Sequence, residues 1–156
     1  MKSESKLNDL IMTLIIVNED RYNAFESAKS IVDEAVFKTW LDKMSNQSLS
    51  FKNELYIFLS DKAMIESFSP DHGTLSGKIY KIWMDIKSFI SKDKLSGIIS
   101  SLEFGEDSAL KIYDEVLSNR ELLSEELFDT INRHQLKIKE DFITLSKLSK
   151  LEESET

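Results

Sequence analysis

The sequence predicts an all-α protein, an antiparallel bundle of four long helices with one shorter helix between the second and the third. Three observations carry this. Apolar residues recur every three or four positions through four long stretches between Leu7 and Leu151. Those stretches are almost free of helix breakers, with one proline and four glycines in 156 residues, whereas a sheet protein needs turn residues about every ten positions. Near the middle of each stretch the apolar series is broken by polar residues: Asn18 with Arg21, Gln47 with Ser48, Glu106, and His134. Side by side, the four stretches bring these interruptions to similar heights, within about one helical turn of 5.4 Å, as a polar layer halfway along the core.

Helix A is predicted from Ser5 to Val32, with Leu7, Ile11, Leu14, Tyr22, Phe25, Ala28 and Val32 on its inward stripe. Asp33 is the expected N-cap of helix B, since its short carboxylate suits the orphan amides of a first turn. Helix B carries Phe37, Leu41, Met44, Phe51, Leu55 and Phe58 inward and is expected to end near Lys62. The connection is so short that A and B should lie antiparallel. From Ala63 to Gly73 the pattern breaks, and Ser67, Ser69, Pro70, Asp71 and Gly73 signal a loop. A shorter helix is expected from Leu75 to Ile90, beside Trp83. Helix C follows from Asp93 to Ser118, with Leu95, Ile99, Leu102, Ala109, Tyr113 and Val116 facing in. Helix D begins near Glu121 or Ser124 and carries Leu127, Ile131, Ile138, Leu145 and Leu148 to a charged tail. Four long helices with one extra element between B and C imply a ferritin-like connectivity, in which the extra helix is the crossover.

Length and composition bound the function. One domain is expected over 1–156, with its ordered core at about 5–150, because a chain of this size buries roughly 68–70% of its unfolded surface. The formal net charge of −8, from 20 basic and 28 acidic residues without a basic cluster, opposes a nucleic-acid backbone. With no cysteine there is neither a disulfide nor a thiolate site. The run from Leu10 to Val17 is far shorter than the ~20 residues of a membrane span, and Asn18-Glu19-Asp20 follows it without a cleavage signal. The expectation is a cytoplasmic protein that meets neither nucleic acid nor membrane.

Chemistry is expected only at the polar layer. A carboxylate and an imidazole in one low-dielectric level should pair, so Glu106 is expected opposite His134, with Arg21 joining if it turns inward. A di-metal carboxylate centre needs a Glu from each of two helices and a Glu-x-x-His from each of the others. Here the residue three before His134 is Ile131, His72 lies in the loop, and helices A and B offer the neutral Asn18 and Gln47. Glu54, Glu103, Glu106 and His134 are the residues a di-iron or di-manganese site would have to use. The bland alternative is a buried polar layer that sets register and satisfies itself. Neither a nucleophile-elbow motif nor a Gly-rich phosphate loop is present. Met12, Ile15 and Ile16 make the first half of helix A apolar nearly all round. That segment is either covered within the chain or a self-association surface, with a homodimer as the working expectation.

Three segments carry a resemblance: Lys6-Leu7-Asn8-Asp9-Leu10-Ile11; Gly73-Thr74-Leu75-Ser76-Gly77 leading to Trp83-Met84-Asp85-Ile86-Lys87; and Gly105-Glu106-Asp107-Ser108-Ala109-Leu110 with Tyr113-Asp114-Glu115-Val116-Leu117. Together they resemble a bacterial ferritin-like family of uncharacterised four-helix-bundle proteins, a domain of unknown function, over about Lys6 to Leu148. The resemblance implies a ferritin-like bundle in a bacterial cytoplasm and brings no established activity. Glu54 and Glu106 match its acidic positions. The chain departs where it has Tyr22 and Asn23, Tyr80, and Phe142 with Ile143.

The function these features predict is a non-catalytic structural, interaction or stress-associated bundle with a degenerate metal site, no cofactor and an unidentified protein partner. The alternative is a di-metal carboxylate protein with oxidase or metal-storage activity.

Overall fold

Wherever the structure describes the periodic stretches, they are helices. The computed structural model describes residues 2–60 and 95–155. The expected loop from Ala63 to Gly73 and the expected short helix from Leu75 to Ile90 lie outside these residues. Among the described residues are α1 (Lys2–Ile31), α2 (Ala35–Tyr56), α3 (Leu95–Leu117), a 3-10 turn (Arg120–Leu122) and α4 (Glu125–Glu155), with no strand.

Helix α1 contains neither Gly nor Pro, yet its Ile- and Val-rich middle has only modest intrinsic helix preference, so tertiary burial holds it. Ile11, Met12, Leu14, Ile15 and Val17 are each at most 1% exposed. Met12 and Ile15 are therefore core side chains within one chain, and only Ile16 of the expected self-association trio reaches partly to solvent. Polar contacts fix the α1–α2 register at both ends: Asn8 Nδ2 donates to Ser60 Oγ at 2.7 Å, and Lys29 Nζ meets Asp42 at 2.8 Å. The two helices are antiparallel, as expected. Trp40 lies between Phe37, stacked at 5.9 Å, and Phe25, edge-on at 6.1 Å, as an ordinary core aromatic.

The expected cap of α2 moves by one residue. Glu34, not Asp33, is the N-cap, in an extended conformation, and its carboxylate accepts from the amides of Val36 at 3.0 Å and Phe37 at 2.7 Å. The first turn begins one residue later because the Val32 amide still closes the last turn of α1 on Ala28 O, and the longer Glu side chain reaches back to both orphan donors. Replacing Glu34 by alanine is expected to lower stability by about 0.5–1 kcal/mol in urea unfolding. At its other end α2 stops at Tyr56, short of Lys62. The Phe58 and Leu59 amides tighten onto Leu55 O and Tyr56 O, and the Ser60 amide turns to Asn8 Oδ1.

Helices α3 and α4 are joined by the 3-10 turn, where Leu123 is buried and Arg120 lies 4.0 Å over the Phe128 ring. Ser124 Oγ accepts from the Leu127 amide at 3.1 Å, and so caps α4 at the second of the two expected starts. The pairs Asp114–Gln135 and Glu103–Ser146 show that α3 and α4 are antiparallel. Helix α2 also runs against α4, because Glu54 meets His134 while Gln47 shares an Arg21 nitrogen with Asp141. It follows that α2 and α3 point the same way. One apolar core runs through all four helices, with Leu14, Phe25, Leu41, Leu55, Leu102, Val116, Ile131 and Ile138 nearly or fully inaccessible.

Candidate functional site

Among the described residues, the apolar core is interrupted halfway along the bundle by one buried cation. Arg21, Asn18, Glu106 and His134 are all 0% exposed. An unpaired charge at such depth is strongly unfavourable, so the guanidinium has to be answered locally. It is answered from each of the four described α-helices. Glu106 on α3 receives Arg21 Nε at 2.7 Å and Nη2 at 3.0 Å, a bidentate fork. Nη1 donates to Asn18 Oδ1 on α1 at 2.9 Å, and Nη2 donates to Gln47 Oε1 on α2 at 2.9 Å and lies 3.4 Å from Asp141 Oδ2 on α4. Phe25 and Phe51 face the guanidinium with ring centroids 5.5 and 5.8 Å away. Burial works against the charged group, but Glu106, with help from Asp141, outweighs it and holds Arg21 above its ordinary range.

From Arg21 a chain of hydrogen bonds runs outward. Asn18 Nδ2 donates to Leu14 O at 2.9 Å and to the Tyr113 hydroxyl at 2.8 Å. Tyr113, also 0% exposed, thus has its own proton to give, and His134 Nδ1 stands 3.3 Å away to accept it. His134 Nε2 then carries the ring proton and directs it at Glu54 Oε2, 3.2 Å distant. Glu54 also accepts from Arg133 and lines an open groove along α2 with Asn46, Ser50, Asn53 and Ile57. Every link donates in the same direction, so the links polarise one another.

The charge states agree with this geometry. Burial, aided by the Arg133 and Arg21 charges and opposed by Glu54, pushes His134 down to about 4, so the imidazole is neutral near pH 7. Phe51 stacks on that neutral ring at 3.8 Å and 11°. Burial also keeps the Tyr113 hydroxyl protonated well above its ordinary range. For Glu54 burial acts upward, but the bonds from Arg133 and His134 prevail and lower it. Asp141 is pushed up to about 7 by burial and by the Glu106 charge, against Arg21 and Gln47.

The expected polar layer is thus two linked levels. The pairing of Glu106 with His134 is corrected: Glu106 takes Arg21, and His134 takes Tyr113 and Glu54. In the antiparallel α3–α4 register, Glu106 is level with Asp141, while His134 is level with Tyr113, about 10 Å or two turns away. Asn18, Arg21, Gln47 and Glu106 come together as expected. Ser48 is buried but bonds only to Met44 O in its own helix at 2.9 Å, so it takes no part. Glu103, a turn from Glu106, bonds Ser146 instead. Sequence reasoning missed Asp141, and it read Tyr113 and Phe51 as purely apolar. A signal was present: Glu106 and Tyr113, like His134 and Asp141, are seven residues apart and share a helix face.

A divalent metal pair does not fit this arrangement. Both Glu106 oxygens are taken by Arg21, Glu103 faces Ser146, and both His134 nitrogens are committed. Among the described residues no three Asp, Glu or His side chains converge as a metal-ligand group. No described helix is long and apolar enough to cross a membrane.

Residues 2–119 match the family described as Domain of unknown function (DUF2383). The chain belongs to this family. The DUF2383 match takes in Asn18, Arg21, Gln47, Glu54, Glu106 and Tyr113, whereas Arg133, His134 and Asp141 on α4 lie beyond it. Neither the curated proteins nor the solved structures provide a match.

Proposed function

We propose that this chain is a non-catalytic ferritin-like bundle, a structural or interaction protein in which an internal arginine takes the place of a metal centre. The observation that carries the reading is the completeness of the Arg21 cluster. Among the described residues one buried cation is met by Glu106, Asp141, Gln47 and Asn18, and of these four only Gln47 reaches partly to solvent. Catalytic sites keep an accessible position next to the reactive groups; this one closes on itself and supports a register-setting role. The shared direction of α2 and α3 supports a ferritin-like connectivity, because two consecutive helices pointing the same way need a connection that returns along the bundle.

Metal content is the test. Protein purified without chelator is expected to carry well under one equivalent of iron or manganese per chain, and added ferrous iron is expected to oxidise no faster than in buffer. About two equivalents per chain, the complement of a di-metal carboxylate centre, would overturn the reading.

A further inference from the structure

We infer that Tyr113 is a redox-active tyrosine: it gives one electron to a small radical oxidant that meets the surface, while its phenolic proton passes to His134 and onward through Glu54. The residues concerned lie about two turns from the Arg21 cluster that carries the proposed function, and they add a redox capacity to a bundle whose role is otherwise passive.

A phenol at this depth cannot lose an electron and keep its proton, because the radical cation would be an unpaired buried charge. Tyr113 is 0% exposed, and the centre of a four-helix bundle lies about one helix diameter, roughly 10 Å, below its surface. An electron crosses such a layer by tunnelling, whereas a proton moves only along hydrogen bonds. Tyr113 has those bonds. Its hydroxyl stands 3.3 Å from His134 Nδ1, and His134 Nε2 stands 3.2 Å from Glu54 Oε2 at the open groove. Burial keeps the imidazole neutral, so Nδ1 accepts, and Glu54 is held ionised.

In the step, the Tyr113 O–H bond breaks and an N–H bond forms at His134 Nδ1. The Nε2–H bond breaks as its proton joins Glu54, so no buried imidazolium builds up. The oxidant gains the electron and Glu54 sheds the proton into the groove. A neutral phenoxyl radical remains on Tyr113, still accepting from Asn18 Nδ2 at 2.8 Å. The other described tyrosines lack this enclosure, since Tyr22 is half-buried and Tyr56 exposed. Radicals formed there meet solvent and other chains, and Tyr113 is the one that persists. The fitting oxidants are one-electron acceptors such as nitrogen dioxide or the carbonate radical.

The experiment uses the full chain with chelator present. Flash-photolysed ruthenium tris-bipyridine, with persulfate as its electron acceptor, supplies the oxidant, and electron paramagnetic resonance reads the radical. The wild type is expected to give a neutral tyrosyl signal that outlasts the signal of the urea-unfolded chain. Tyr113→Phe should abolish the long-lived signal and Tyr56→Phe should leave it. In His134→Phe, with Tyr113 intact, its formation should slow by about a hundredfold or more, the scale of a lost proton acceptor. Formation in the wild type should also be slower in D2O than in H2O, a reading that depends on no variant folding. A wild-type chain without a long-lived radical, a signal that survives Tyr113→Phe, an unchanged rate in His134→Phe, or equal rates in the two solvents would each overturn the inference. Metal bound to the chain as purified would instead strike the proposed function, and elemental analysis reads that separately.

Discussion

Replacing Glu106 by leucine is expected to destabilise the protein by about 3–5 kcal/mol, lowering its melting point by on the order of 10 °C. Leucine fits an apolar bundle well, so the loss does not come from packing. It comes from Arg21, which keeps its charge at 0% exposure and loses its bidentate partner. Asp141, 3.4 Å away, offsets part of this by ionising once the neighbouring Glu106 charge is gone, which places the effect toward the lower end of that range. Glu106→Gln keeps an acceptor on Arg21 and is expected to cost about 1–2 kcal/mol. Adding Arg21→Met to Glu106→Leu should restore most of the lost stability, because a buried ion pair exchanged for apolar side chains of similar volume is often neutral. The measurement is a double-mutant cycle in urea, with an expected coupling of at least about 2 kcal/mol. Two single-variant losses that simply add would show that the pair does not act as a unit.

The parts of this arrangement that could be read ahead of the structure are those set by local periodicity. Four helices, their inward stripes and the polar breaks at Asn18, Arg21, Glu106 and His134 follow from spacing, because a side chain three or four positions along returns to the same face. What spacing leaves open is the axial offset between helices. An error of one or two turns decides whether Glu106 meets His134 or Arg21, and that offset is fixed by contacts such as Asn8 with Ser60 and Glu103 with Ser146. Tyr113 and Asp141 escaped notice for another reason. Tyr113 presents an apolar body that suits a seam, and its hydroxyl counts as a partner only once Asn18 and His134 are known to lie within reach. Asp141 belongs to the polar alternation of α4 until its face is seen to point at Arg21. Glu34 supplanted Asp33 as a cap because α2 starts at Ala35, where the Glu34 carboxylate reaches the orphan amides of Val36 and Phe37.

Between about pH 4 and 6.5 the wild type is expected to gain or lose almost no stability from its two perturbed core groups, while each single variant shows a steep and opposite slope. His134 titrates near 4 in the folded chain against an ordinary 6.5. Over that window the unfolded chain binds the proton and the folded chain does not, so stability rises with pH and the gain is complete above about 6.5. Asp141 titrates near 7 when folded against an ordinary 3.8. There the folded chain binds the proton and the unfolded chain does not, so this contribution is complete below about 3.8 and disappears as pH climbs to 7. The groups facing Asp141 are Arg21 from α1, Gln47 from α2, Glu106 from α3 and Glu140 on its own helix; of these only Arg21 and Gln47 favour the ionised form. Folding at pH 5 thus takes up one proton at Asp141 and releases one at His134, and the two slopes cancel. Asp141→Asn removes the falling component, so relative to wild type its stability should increase by about 3–4 kcal/mol from pH 4 to 7. His134→Phe removes the rising component and should lose about 3 kcal/mol relative to wild type from pH 4 to 6.5. Urea unfolding at half-unit pH steps reads both, and two variants with parallel pH profiles would place the titrating groups elsewhere.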